Sequence, residues 1–452
     1  MSRAAPLRAG RCLPRAGAVA VAAILLARVA AAAVPAEPAA VLDALVAAQA
    51  ADGGWHFAPE ADGRPHGHTW VMRVAEWLAQ RLGGPHWDLV VVRSPGTPSA
   101  GLALVAGWRA TGRAQWLASA RRAGDLLIAL QLAPGGWVSE MPVERGRLTA
   151  WFPWVSPRIT LDDDVTPGAV RFLLALWEAT GDARYRDAAV RGVDLLAGAQ
   201  LPSGAWPHVW RPRWMHVVRR SRDDTASLND GTTPLAIDTL VVAAAALGRP
   251  DLLRAARHGG RWLLAVQHGE PRAGWAQQYD AEGRPAPMRV FEPAALATWE
   301  SRHAVEALET LARATGEPQW CEGARQAARW LADVALAPGC WARLLDPTSG
   351  RPLYLAADGT RVPLAAARPG YDWTGDFGIP ALLVRFGLAG GPELPIPAPG
   401  DPLACPGRPD PFRTHGGARA VAADATLAVA VLAPRPPSPC APVALVRAEG
   451  RR

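Results

Sequence analysis

ATGDARYRDAAVRGVDLLAGAQLPSGAW, Ala179–Trp206, is the stretch whose reading decides the fold. Gly181 stands where a helix would end, because glycine takes the left-handed closing conformation at little cost. Beyond it Tyr185, Ala188, Ala189, Gly192, Val193 and Leu196 fall on one stripe of a second helix. Three other segments align with this one: Ala110–Trp137, Ala246–Trp275 and Ala314–Trp341. Their glycines, Gly112, Gly181, Gly248 and Gly316, are 69, 67 and 68 residues apart. VAAQAADGGW, Val46–Trp55, supplies an earlier closing turn. A period of that length, holding two helices, marks a repeat architecture.

Working outward, no alternating segment is long enough for a large sheet, so the class is all-α. Helical hairpins repeated about six times can stack as an open solenoid or close into a ring. The closed (α/α) toroid is expected, with its tryptophan-bearing turns on one face lining a central cleft. From Trp341 to Gly378 turn residues punctuate the chain, which predicts a small β-hairpin and loop region. After residue 390 the sequence becomes Pro-rich and reads as a tail, 391–452.

The N-terminus reads as an export signal, 1–36. A basic stretch ends at Arg15, Gly17–Ala27 is an uncharged run of eleven, and AAAVPA (Ala31–Ala36) offers small residues for cleavage. Five arginines precede residue 36 with no acid among them, so the net charge of +7 leaves only +2 for the remainder. Bulk charge therefore gives no indication of nucleic-acid binding. The chain has no lysine, and all 48 of its basic residues are arginine. Cys321, Cys340, Cys405 and Cys440 remain after the signal. An exported context permits disulfides, and Cys405–Cys440 is the expected pair because both lie in the tail.

Four stretches at the turns could carry chemistry. Ile159–Trp177 places Asp162, Asp163 and Asp164 before an amphipathic helix with Thr166-Pro167 at its start. Clustered carboxylates suit either a solvated helix entrance or a hard cation such as calcium. SLNDGTTP, Ser227–Pro234, carries Asn229 and Asp230, the latter 66 residues after Asp164. That offset predicts two carboxylates on one rim. Gly274–Ser301 contains Gln277, Tyr279, Arg289 and Glu292, the arginine among apolar neighbours. Ala367–Gly378 offers Arg368, Tyr371 and Trp373. Between Trp206 and Asp230, PHVWRPRWMHVVRRSRDD alternates arginines with aromatics, which suits flat, carboxylate-bearing rings as well as a solvated loop.

Taken in order, TLDDDVT, the Ala179–Trp206 repeat, LNDGTTP, GWAQQYD…MRVFEP…ES and GRPLY…RPGYDWTG resemble the pectic acid lyase family over roughly residues 40–380. The resemblance implies an (α/α) toroid that cleaves polygalacturonate by calcium-assisted β-elimination. It implies Arg289 as catalytic base with Asp164 and Asp230 beside it, and Ca2+ held by Asp162, Asp164 and Asp230. Trp206, Asn229, Gln277, Tyr279, Glu292, Arg368, Tyr371 and Trp373 are the substrate-binding candidates. The partner would be a polyanionic polysaccharide met by an exported monomer, with no nucleic acid and no membrane once the signal is gone. His208, His56 and Thr374 depart from the family pattern; His208 stands where glutamine is usual. Two other readings stay open on the residues alone: a triterpene-cyclase-like toroid protonating its substrate from the acidic triplet, and a non-catalytic toroid that binds sugars.

Overall fold

The computed structural model describes residues 36–56, 81, 89–142, 158–212, 225–268, 274–388 and 438–441. The signal segment, most of the tail, Cys12, Cys405 and residues 213–224 of the arginine-aromatic stretch lie outside them. Ten α-helices occur among the described residues: α1 (Ala36–Ala47), α2 (Thr97–Thr111), α3 (Ala114–Leu130), α4 (Val165–Thr180), α5 (Ala183–Gly198), α6 (Thr232–Leu247), α7 (Pro250–Val266), α8 (Thr298–Thr315), α9 (Pro318–Asp333) and α10 (Ile379–Phe386). Four hairpins follow the repeat: α2–α3, α4–α5, α6–α7 and α8–α9. Each first helix packs on its partner and on the first helix of the next hairpin, and α8 passes the series on to α10. One layer therefore runs inside another, the arrangement of an (α/α) toroid.

The marker glycines end the inner helices as their chemistry predicts. Gly112, Gly181, Gly248 and Gly316 lie at φ between 66° and 74°, each amide bonded to a carbonyl of the preceding turn. The stripe read from Tyr185 to Leu196 is buried in α5. Helix α6 is apolar almost throughout because α4 and α8 flank it on both sides.

One interaction recurs at three closing turns and in part at a fourth. Gln200 Nε2 donates to Gly204 O within its own turn (2.8 Å) and to Ala255 O on the next outer helix (2.9 Å). Gln131 does the same to Gly135 and Ala188, and Gln49 to Gly53 and Ser119. Gln267 reaches Gly323 on α9. Ala335 stands at this position in the last copy, after which the described residues contain no further outer helix to reach. Gly204 is required here: at φ 104° a Cβ would sit 2.6 Å from His258 O.

The tryptophans anchor these turns from within. The indole N–H groups of Trp55, Trp137, Trp206, Trp275 and Trp341 donate to Leu45, Leu127, Leu196, Leu263 and Leu331 carbonyls. All five rings are at most 2% exposed. The turns were expected at a cleft, and their rings are core: a ring that large, with its one donor satisfied inside, contributes more there.

After each closing tryptophan the chain pairs, antiparallel, with residues just ahead of an inner helix. β1 (Leu89–Val91) pairs with β2 (Glu140–Pro142), β3 (Ile159–Thr160) with β4 (Val209–Trp210), and β7 (Trp341–Ala342) with β9 (Thr374–Gly375). β5 (Trp275–Ala276), β6 (Leu296–Ala297) and β8 (Leu344–Leu345) form a three-stranded piece. These short ladders make one rim of the ring. The loop region expected between Trp341 and Gly378 is present as β7 to β9 with a 3-10 turn at Leu364–Ala366. The expected Cys405–Cys440 pair is corrected as well. Cys440 is bonded to Cys321 on α9, which ties the tail to the outer layer, and Cys340 is in a disulfide too.

Gln200→Leu should cost about 1–3 kcal/mol, since two carbonyls lose their donor. Urea unfolding measures it. A cost below about 0.5 kcal/mol would mean that the tryptophan alone holds the turn.

Candidate active site

The rim obeys a register. Two residues after each closing tryptophan from Trp137 onward stand Ser139, His208, Gln277 and Arg343. Their carbonyls accept the amides that precede the inner helices. Ser139 O takes Val92 and Arg93, His208 O takes Leu161 and Asp162, Gln277 O takes Leu228 and Asn229, and Arg343 O takes Thr298. Each such residue is thereby pinned by its main chain next to the residues that open an inner helix.

Those openings are conformationally strained. Asp163, Asp164 and Asp230 have φ of 53°, 57° and 51°, a region few residues with side chains occupy and Asp tolerates better than most. Asp164 and Gly231 are the residues immediately before α4 and α6. The structural counterpart of Asp230 is therefore Asp163, not Asp164. The hydroxyls of Thr166 and Thr233 confirm the register by accepting the amides of Trp137 and Trp206. The two rim turns touch through Asp163 N–H to Asp230 O at 3.1 Å.

Asp230 is the centre of a charge cluster. Its Oδ2 accepts from Asn229 Nδ2 (2.6 Å) and lies 3.8 Å from Arg289. Its Oδ1 lies 3.5 Å from Arg343. Arg343 also meets Glu300 at 2.9 Å, with its guanidinium 4.3 Å from the Trp299 ring centre and 4.9 Å from that of Tyr371. Burial opposes charge on Arg343, but Glu300, Tyr371 and Asp230 prevail and hold its proton more firmly than usual. Gln277 Nε2 joins Asn229 Oδ1, Glu300 Oε1 and Tyr371 Oη. Burial lifts Glu292 above the usual carboxylate range, with Arg289 at 3.3 Å and Arg343 pulling the other way. Arg289 is half exposed, and Arg368 stacks 4.1 Å over Phe291 beside it.

The remaining expected residues are placed elsewhere. Trp206 and Tyr279 are fully buried, Tyr279 edge-on to Trp262 with its hydroxyl accepting Ala276 N–H. Trp373 is 5% exposed, packed on Tyr371 and Tyr354, and donates to Arg368 O. These three are corrected from substrate contacts to framework. The metal set of Asp162, Asp164 and Asp230 is corrected too, because each carboxylate faces its own partner. Asp162 bonds His208 (2.9 Å), and Asp164 bonds Arg171 (2.6 Å), tucked over Gly168. Among the described residues no three His, Cys, Asp or Glu side chains converge to hold a metal ion. The residues present do not fit a ready-made calcium cage.

His208 is fully buried, and both ring nitrogens face acceptors: Nδ1 faces Asp162 Oδ2, while Nε2 faces Gln278 Oε1 (2.9 Å) and Ser227 Oγ (2.8 Å). Burial would lower its pKa, but the bond to Asp162 and that carboxylate's charge outweigh it and raise the value. Asp162, His208 and Ser227 stand in the order of a hydrolase triad. Ser227 is nevertheless fully buried and its Oγ accepts Asn229 N–H, so it cannot meet a substrate. Glu300, Arg343 and Trp299 escaped the sequence reading. The signal for Arg343 was its place two residues beyond Trp341, the step that also gives His208 and Gln277.

A two-layered helical ring with a rim of paired arginines and carboxylates defines the class. Residues 149–337 match the sequence model of the pectic acid lyase family. Over that range, somewhat less than half of the chain, the sequence is similar to this family. Among solved structures, an alanine mutant of family 10 polysaccharide lyase from Cellvibrio cellulosa, in complex with trigalaturonic acid, is 20% identical, with TM-score 0.49, 62% of this chain and 94% of that chain covered. A sugar epimerase from a ruminal bacterium is 10% identical, with TM-score 0.50, 68% of this chain and 72% of that chain covered. Cellobiose 2-epimerase from Spirochaeta thermophila is 15% identical, with TM-score 0.48 and 75% and 76% covered. No curated protein matches the chain.

A raised folded pKa at His208 makes its contribution to stability complete below the unfolded value of about 6.5, and lost as pH rises through the folded value. The stability of the wild type relative to His208→Gln should therefore be level below about pH 6.5 and fall as pH rises above it. Urea midpoints across that range measure it. A pH-independent difference would mean that the ring is neutral throughout.

Proposed function

We propose that the protein is an exported, monomeric pectate lyase that cleaves polygalacturonate by β-elimination. The single observation that carries the reading is the Asp230 cluster, in which Arg289 and Arg343 meet one carboxylate inside the segment matched to, or adjoining, the pectic acid lyase family. The neighbour solved with trigalaturonic acid points to the same substrate class.

The chemistry requires two things. The C5 proton of a uronate is acidic only when the adjacent carboxylate is neutralised, and a base must then take it as the C4–O bond breaks. Arg343 is unsuited to be the base, since Glu300 and Asp230 hold its proton. It serves as a fixed positive charge. Arg289, half exposed at the mouth, is the group that can reach a sugar ring. It is held between Glu292 at 3.3 Å and Asp230 at 3.8 Å, and it shares the second carboxylate with Arg343. Arg368, 4.1 Å from the Phe291 ring centre that Arg289 approaches to 5.9 Å, would meet a second carboxylate of the polymer.

Calcium, expected from the resemblance, has no ready-made cage among the described residues, and no step above passes through it. It enters the proposal as an ion recruited together with the polymer, where it would neutralise the uronate carboxylate.

Mixing the mature protein with polygalacturonate should raise absorbance in the unsaturated-uronide band, and EDTA should suppress the rise. No rise with or without calcium would refute the reading in favour of a non-catalytic toroid. Arg289→Ala should lower kcat at least about 100-fold with folding intact, the usual size of a general-base contribution. Arg289→Lys should not restore it, for lysine lacks the planar fork. An active Arg289→Ala enzyme would move the base to Arg368.

A further inference from the structure

We propose that His208 is a positioning residue for the Asp230 carboxylate, acting through Ser227 and Asn229. The role rests on the lyase reading only for its activity readout.

The path is continuous. His208 Nε2 meets Ser227 Oγ at 2.8 Å, and that oxygen accepts the amide of Asn229 at 3.0 Å. Asn229 Nδ2 then donates to Asp230 Oδ2 at 2.6 Å, while its Oδ1 accepts from Gln277 Nε2. On the other side His208 grips the first acidic turn twice. Its ring holds the Asp162 carboxylate, and its carbonyl accepts the amides of Leu161 and Asp162. One residue therefore fixes the openings of both α4 and α6.

Such fixing is needed because Asp230 stands at φ 51°, a conformation disfavoured for a side chain. The strained residue keeps its aim only while its neighbour is locked. Asn229 is that neighbour, and its amide is held by Ser227 Oγ together with Gln277 O. Ser227 is fully buried, donates to Gln277 O at 3.3 Å and meets His208 Nε2 at 2.8 Å, so the imidazole helps to fix where that hydroxyl sits. The imidazole touches neither Asp230 nor the open rim, which separates it from a catalytic residue.

The test uses the full chain, carrying His208→Ala, Ser227→Ala or both, with polygalacturonate as substrate and amide hydrogen exchange as a second readout. Each single variant should lower kcat by about 10-fold or more with KM within about twofold, and the double variant should be no worse than the weaker single. Exchange at Asn229 and Asp230 should quicken in both. His208→Gln, whose amide can still donate to Asp162 or Ser227, should recover part of the kcat. Additive losses, or wild-type kcat and exchange in Ser227→Ala, would overturn the proposal. If His208→Ala fails to fold, Ser227→Ala, which removes one buried hydroxyl, decides alone. If the wild type leaves polygalacturonate untouched, the lyase reading falls by itself. The exchange rates then decide the positioning role, and unchanged protection overturns it.

Discussion

The structure depends on a glutamine amide that faces two ways. Where Gln200 bonds both Gly204 and Ala255, it joins the end of one hairpin to the outer helix of the next. Without that link the closing turn would keep its tryptophan and its internal bonds but lose this tie to the next outer helix. Each copy thus sets the angle at which its successor docks, and the ring is assembled from local decisions. The glycine two residues before the tryptophan is part of the same constraint, because the backbone must press against the neighbouring helix.

That constraint explains why the site lies where it does. A turn held at both ends presents the next few residues in a fixed direction, towards the opening of an inner helix. Polar side chains placed there inherit their positions from the fold rather than from one another. Arg343, Gln277 and His208 share this origin, and so do the bonds that Arg343 and Gln277 both make to Glu300. The tight packing of Arg343 between Trp299 and Tyr371 then keeps a cation in place that water would otherwise claim.

The fold was legible in the sequence because its period is long and its punctuation regular. Glycine ends a helix and tryptophan closes a turn for reasons that need no knowledge of the other copies. The site was less legible. Asp230, Asn229, Gln277, Arg289 and Glu292 were identified and lie together. Trp206, Tyr279 and Trp373 were misplaced because an aromatic beside a polar run reads alike whether it faces a sugar or the core. Asp164 was paired with Asp230 on an offset of 66, and a single residue of register handed that role to Asp163. Glu300 stood inside a helical pattern that gave no reason to single it out. The Cys321–Cys440 bond joins residues 119 apart, a proximity no local pattern carries.

The position two steps past each buried indole behaves as an interchangeable socket. Its carbonyl does the structural work, and the side chain is left free to vary among serine, histidine, glutamine and arginine. A ring built this way can change its rim chemistry one sector at a time, while the main-chain bonds of that sector stay as they are. New polymers would then be met by altering a handful of side chains on an unaltered wheel.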